Sequence, residues 1–268
     1  MRKVRRSPRA LLKQRMKHAR ARSIYLLPNS FTLASMFAAF YGVIQAMGGN
    51  FTSAAIAIFV SMLLDGMDGR VARATGTSSE FGVQFDSIAD MFAFGVAPAL
   101  IAYEFALNTL GGFGWAAAFI YCAGAGIRLA RFNTMVGVID KGFFQGLASP
   151  AGAALVMGFV WLFEAGQVPV EVHEYKACIT ATLAIYAGVT MISNAPFFSG
   201  KNMGFVRRLP FWAVFVACIA IIAFSTYPGL ASFILFCGYA VSGYLYQFYL
   251  YCRGLPNPVD PTGGLEEI

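Results

Sequence analysis

Residues 65–90 read DGMDGRVARATGTSSEFGVQFDSIAD: four aspartates, two arginines and a glutamate within a 268-residue chain that is otherwise strongly apolar. The aspartates stand at 65, 68, 86 and 90, spacings of three and four within each pair. A helix turns about 100° per residue, so positions three, four and seven apart share a face. Asp65, Asp68, Gly69 and Ala72 therefore form one stripe at the end of a helix. Asp86 and Asp90 form a second stripe at the start of the next, with Gly82 one turn earlier. The eight residues ATGTSSEF between Arg73 and Gly82 suffice to reverse the chain and are few enough to make the two helices antiparallel neighbours. Both stripes then converge on one small volume.

The surroundings of this stretch set the fold class. The chain is 58% hydrophobic, 15% aromatic and only 12% charged, with a mean hydropathy of +0.62, whereas soluble domains carry about 25% charged residues. Crossing a hydrocarbon core takes about 20 apolar residues. Runs of that order lie at 29–48, 51–72, 82–107, 114–135, 146–165, 175–195, 210–226 and 229–251. Open sheets leave backbone groups unpaired in lipid, and the ten-residue alternation of barrels is missing, so the spans are helical. The expectation is an all-α polytopic membrane protein, a bundle of about eight transmembrane helices. A basic cytoplasmic juxtamembrane segment, 1–27, precedes the transmembrane domain, 28–252, and a polar tail, 253–268, follows it. The sequence has no visible internal repeat, which weighs against the inverted-repeat transporter architectures.

Charge placement tests the span count. Ten of the twenty basic residues precede the first span, with no acid among them. With that segment in the cytoplasm and eight spans following, Arg70, Arg73, Arg128, Arg131, Lys141, Lys201, Arg207, Arg208 and Arg253 fall on the same side. Lys176 alone does not. This strong positive-inside pattern predicts cytoplasmic termini and cytoplasmic aspartates. The basic segment reads as a topology signal that adheres to anionic headgroups, with a targeting presequence as the alternative; nucleic acid is not an expected partner beside a membrane span. The five cysteines have no CxxC spacing and fit neither a disulfide framework nor zinc. With only His18 and His173 as histidines, a catalytic base on the cytoplasmic side is expected to be a carboxylate.

Four carboxylates at close quarters repel one another, and divalent cations remove that repulsion. Oxygen ligands without His or Cys suit hard ions, favouring Mg²⁺ or Mn²⁺ over zinc, with Ca²⁺ as a further fit. Four aspartates are enough to bridge two ions about 3.5–4 Å apart, the arrangement used in phosphoryl chemistry. Gly66, Gly69, Ala72 and Gly82 remove side chains where a substrate would approach the backbone; the competing reading is a small-residue packing seam. Intramembrane acids are costly and functional by default, which favours the first reading. Arg73 beside such a site reads as a phosphate ligand, or as a boundary cation.

The pattern D-x2-D-G-x2-A-R-x8-G-x3-D-x3-D, filled by Asp65, Asp68, Gly69, Ala72, Arg73, Gly82, Asp86 and Asp90, resembles the signature of the CDP-alcohol phosphotransferases. The resemblance implies displacement of CMP from a CDP-linked lipid or alcohol by a hydroxyl acceptor, dependent on two divalent ions. It implies that Asp65, Asp68 and Asp86 are chiefly metal ligands, and that Asp90 is both ligand and base. It also implies a homodimer.

Four further stretches resemble the phosphatidylserine synthase branch: PNSFTLASMFAAFYG from Pro28, FGVAPALIAY from Phe94, GAGIRLARFNT from Gly124 and GLASPAGAAL from Gly146. The expected substrates are then CDP-diacylglycerol, held among membrane lipids, and L-serine. Arg128 and Arg131, three apart on one face, need an anionic partner at that depth; the serine carboxylate or the lipid phosphate would serve, as would headgroups or Asp140. Asn29 and Thr32, at the entry of the first span, are candidates for contacts to the cytidine or its phosphates, although Asn29 also suits a helix start. The rival acceptors are glycerol 3-phosphate, an inositol phosphate and choline. From another class, a cation-coupled transporter would also place aspartates in a membrane, but would distribute them along an alternating-access path.

Overall fold

The computed structural model describes residues 29–75, 79–134, 142–199 and 222–259, the side chains of 72–75 excepted. The basic segment 1–27, most of the run at 210–226, the side chains of Ala72 and Arg73, and Asp140, Lys141, Lys201, Arg207, Arg208 and the last nine residues lie outside the described residues.

Helix α1, Asn29–Met47, is followed after a tight turn by α2, Phe51–Thr75. The turn closes where Gly49 takes a positive φ of 79°, a conformation open to glycine without a Cβ penalty. Helix α3 runs through Glu80–Phe105. Its start is fixed by Ser79, whose hydroxyl accepts the Gly82 amide at 3.0 Å, with Glu80 in the first turn. Helix α4, Gly112–Thr134, leads to strand β1, Phe143–Gln145, and the apolar helix α5, Ser149–Glu164. Helix α6, Val170–Ile192 with a 3-10 start over Val170–Tyr175, strand β2, Pro196–Phe198, and helix α7, Pro228–Arg253, follow. The two strands form a short antiparallel ribbon with Phe144 opposite Phe197.

Among the described residues six helices are long and apolar enough to cross a membrane. The protein is an all-α, multi-pass membrane protein. Helix α5 is the exception in length, with 16 residues, or about 24 Å of rise against a hydrocarbon core of about 30 Å. It is apolar on every side, and a helix of that kind belongs in an interior. Leu155, Val156, Met157 and Val160 are each no more than 1% exposed, and α2, α3, α6 and α7 pack around it.

Helices α4 and α6 approach closely through two glycines. A Cβ on Gly124 would run into the backbone of Gly188, and one on Gly188 would lie 2.7 Å from the Ile120 carbonyl oxygen. Small residues permit such backbone contact within lipid, where close packing replaces the hydrophobic drive between helices.

The end of the bundle opposite the aspartates explains the one stray cation. The Lys176 ammonium lies 3.7 Å from the ring centre of Phe105 and 4.8 Å from that of Phe163, with a Glu164 carboxylate oxygen at 3.8 Å. It is held by the ends of three helices, as cation–π contacts favour where water is scarce.

Gly188→Val should lower the thermal unfolding midpoint in detergent, because overpacking a tight interface costs about 1–3 kcal/mol. Gly66→Ala, at a position where a Cβ meets nothing within 4 Å, should leave it unchanged. Equal midpoints for the two variants would mean that the α4–α6 contact is not a limiting one.

Candidate metal and phosphate site

The two aspartate stripes meet as the spacing requires. One carboxylate oxygen each from Asp65, Asp68 and Asp86 lies within 4.8 Å of the others. The Asp90 carboxyl lies against that of Asp65, and Asp86 against Asp68. Asp68 is 6% exposed and accepts a 2.8 Å hydrogen bond from the Thr32 hydroxyl, which ties α1 to the site. One turn further along α1, the Ser35 hydroxyl donates to the Ser61 carbonyl at 3.0 Å. Asn29, at the start of α1, places its side-chain oxygen 3.3 Å from where a Cβ on Gly82 would stand.

These residues fit a hard divalent cation. Oδ1 of Asp86 and Oδ1 of Asp90 are buried without a hydrogen-bond partner among the described residues, whereas buried polar atoms are ordinarily paired. Oxygens about 2.0–2.1 Å from one Mg²⁺ stand at most about 4.2 Å apart, about 0.6 Å less than the 4.8 Å within which these three lie. The donor set is wholly oxygen, as Mg²⁺, Mn²⁺ or Ca²⁺ requires.

The glycines divide by role. A Cβ on Gly66 or Gly69 would meet nothing within 4 Å among the described residues. Among the described residues these two therefore border open space beside the carboxylates. Gly82 instead gives room to Ser79 and Asn29.

The arginines divide as well. Arg128 is 8% exposed, donates to the Ser149 hydroxyl at 3.2 Å, and keeps a buried Nε without a partner. Its guanidinium lies 5.7 Å from the Phe132 ring centre, and its charge interacts with that of Asp90. Arg131 is fully engaged: it donates to the carbonyls of Gln145, Met191, Ile192 and Ser193 and to Asn194 Oδ1, at 2.8–3.3 Å. A cation at the end of α6 meets the unpaired last carbonyls and the negative end of the helix dipole. Arg131 thus fastens the ends of α4 and α6 and the ribbon together, while Arg128 faces the aspartates.

Two contacts at this site had no local sign in the sequence. Ser149 opens α5 and reaches Arg128, twenty-one residues earlier in the chain. Asn133 Nδ2 donates to Ser87 Oγ at 3.1 Å, linking α4 to the start of α3. Ser149 lies inside the GLASPAGAAL stretch, the nearest thing to a signal for it.

A sequence profile of the family described as CDP-alcohol phosphatidyltransferase matches residues 25–193, which contain every aspartate and arginine of the site. A CDP-diacylglycerol–serine O-phosphatidyltransferase of Helicobacter pylori is 38% identical over 186 residues, covering 69% of this chain and 77% of that one. One from Mycobacterium leprae is 36% identical over 218 residues, 78% of this chain and 69% of the relative. One from Methanocaldococcus jannaschii is 38% identical over 149 residues, 56% and 65% of the two chains.

A hydrogen bond to a charged group contributes about 1.5–3 kcal/mol, so Arg131→Ala should lower the unfolding midpoint in detergent by several degrees. Arg131→Gln, able to reach only one or two of the carbonyls, should recover part of the loss. Calorimetry or a fluorescence melt reads both, and an unchanged midpoint for the alanine variant would remove Arg131 from its fastening role.

Proposed function

This chain belongs to the CDP-alcohol phosphatidyltransferase family, and from that premise we propose that it transfers the phosphatidyl group of CDP-diacylglycerol to the hydroxyl of L-serine, forming phosphatidylserine and releasing CMP. The observation that carries this reading is the convergence of Asp65, Asp68 and Asp86 on one volume, with Asp90 against them, beside open space at Gly66 and Gly69. The three relatives carry the serine-transferase name, and that supports serine over glycerol 3-phosphate, an inositol phosphate or choline.

Asp65, Asp68, Asp86 and Asp90 would hold two divalent cations, Mg²⁺ or Mn²⁺. Bound there, the cations supply neutralisation of the diphosphate and of the charge that develops on the transferred phosphoryl group and departing CMP. The residues do the rest. Gly66, Gly69 and Ala72 would leave the backbone open to the CDP moiety, Gly82 gives room to Asn29, and Asn29, Thr32 and Arg73 would line its path. Arg128, with its unpaired Nε beside Ser149, would receive the serine carboxylate. A carboxylate pairs well with such a guanidinium, whereas choline would gain nothing from it. Asp90 accepts the proton of the serine hydroxyl as the new oxygen–phosphorus bond forms and the bond to the CMP oxygen breaks.

The aspartates lie at one end of α2 and α3 only, and the far end carries the Lys176 box. That distribution favours a reaction centre over an alternating-access path. The charge pattern supports placing this end, with both termini, in the cytoplasm. The small-residue faces of the helices offer surfaces for a homodimer.

Purified protein in detergent, given CDP-diacylglycerol and Mn²⁺, should release CMP with serine. Equal turnover with glycerol 3-phosphate would overturn the acceptor, and no CMP with any acceptor would overturn the reaction. Asp90→Asn should reduce kcat by about 10²–10⁴-fold, the range of a lost general base, while CDP-lipid binding persists; loss of that binding would make Asp90 chiefly a ligand. Arg128→Lys should raise the serine KM with less effect on the KM for the lipid.

A further inference from the structure

Helix α3 leaves α geometry one residue after Asp90. Glu80–Asp90 is α-helical, Met91–Val96 is a π-turn, and α geometry resumes over Ala97–Phe105. The amide of Met91 donates to the carbonyls of Ser87 and Ile88, four and three residues back, while that of Ala97 donates to Phe92, five back. One extra residue has entered the ladder. Such turns are rare and occur mostly at functional sites.

Pro98 leaves this turn with a debt that another helix meets. Having no amide, Pro98 cannot bond the carbonyl of Phe94, four residues earlier, as an α-helix would require. The Tyr121 hydroxyl of α4 donates to that carbonyl at 2.8 Å. Tyr121 is 1% exposed and Phe94 is fully buried, so no water competes. Gly95 lets α4 come close enough: a Cβ there would stand 3.2 Å from the Ala125 Cβ.

The half of α3 beyond the turn is anchored in the core by Ala97, Ile101, Ala102 and Phe105. One inserted residue shifts the phase of the other half, relative to that anchor, by about 100°. Asp86 and Asp90 ride on that other half, with their unpartnered oxygens. We infer that Tyr121 is a positioning residue. Its hydroxyl, standing in for the amide that Pro98 lacks, holds the widened turn that aims Asp86 and Asp90 at Asp65 and Asp68. The inference rests on reading the four aspartates as a divalent-cation site.

The test compares wild type, Tyr121→Phe and the double variant Tyr121→Phe/Pro98→Ala by Mn²⁺ binding (electron paramagnetic resonance of free Mn²⁺), CMP release and thermal midpoint. Tyr121→Phe should bind Mn²⁺ about tenfold or more weakly, as when a residue orienting metal ligands is lost, with a matching fall in kcat at fixed Mn²⁺. The double variant returns an amide to the Phe94 carbonyl but in α register. It should regain the midpoint and not the Mn²⁺ affinity, and it carries the test if Tyr121→Phe alone does not fold. Mn²⁺ affinity and kcat within twofold of wild type in Tyr121→Phe would overturn the inference. So would recovery of both in the double variant, which would reduce Tyr121 to a packing role. Wild-type protein that binds Mn²⁺ and releases CMP upholds the site itself under either result; wild-type protein that binds no Mn²⁺ overturns the site and the inference together.

Discussion

Mutual repulsion among four carboxylates at the edge of an apolar bundle is the constraint to which the other parts of the molecule answer. Two unit charges 4 Å apart interact by about 4 kcal/mol at an effective dielectric constant of 20, and Asp65, Asp68, Asp86 and Asp90 set several such pairs against each other. That repulsion alone would drive them apart. They are held by a short connection between α2 and α3, by Thr32 from α1 on Asp68, and by Asn133 from α4 on Ser87. An arrangement this costly persists where cations complete it. Two buried carboxylate oxygens without partners are the sign of what is to be completed.

Cations in the bundle follow the same economy of desolvated charge, each in a different way. Lys176 is neutralised by Glu164 and by aromatic faces and so carries no message about topology, although it stands on the unfavoured side of the charge pattern. Arg131 spends its guanidinium on the carbonyls at the end of α6, a structural use of charge. Arg128 alone of these three keeps an unpaired buried donor, and it does so on the side of the aspartates. Three cations thus separate into an anchor, a fastener and a ligand-ready group by what their neighbours leave unsatisfied.

Features set by local periodicity were legible in the sequence, and features set by distant contacts were not. The paired aspartates follow from helix geometry within a few residues, and their convergence from an eight-residue connection. The apolar runs at 29–48, 51–72, 82–107, 114–135, 175–195 and 229–251 all correspond to long helices. The run at 146–165 reads as another span, and its helix is short and buried along most of its length, because its neighbours, which no single run reveals, supply its surroundings. Arg128 and Arg131 look equivalent by spacing; they differ because the carbonyls of 191–193, some sixty residues on, reach only Arg131. The π-turn is hinted at by Gly95 and Pro98, yet the donor that stabilises it, Tyr121, belongs to another helix.

Glycine serves two opposite ends in the bundle, and the contrast bears on how a lipid substrate reaches the aspartates. At Gly124 and Gly188 the missing side chain is taken up by the facing backbone, and α4 and α6 close on each other. At Gly66 and Gly69, on the same helix as Asp65 and Asp68, nothing among the described residues takes up that space. Both glycines are exposed, so among the described residues the helix face beside the paired carboxylates carries no side chain there. Such a gap is consistent with a site filled from outside, by a nucleotide diphosphate whose acyl chains remain in the bilayer.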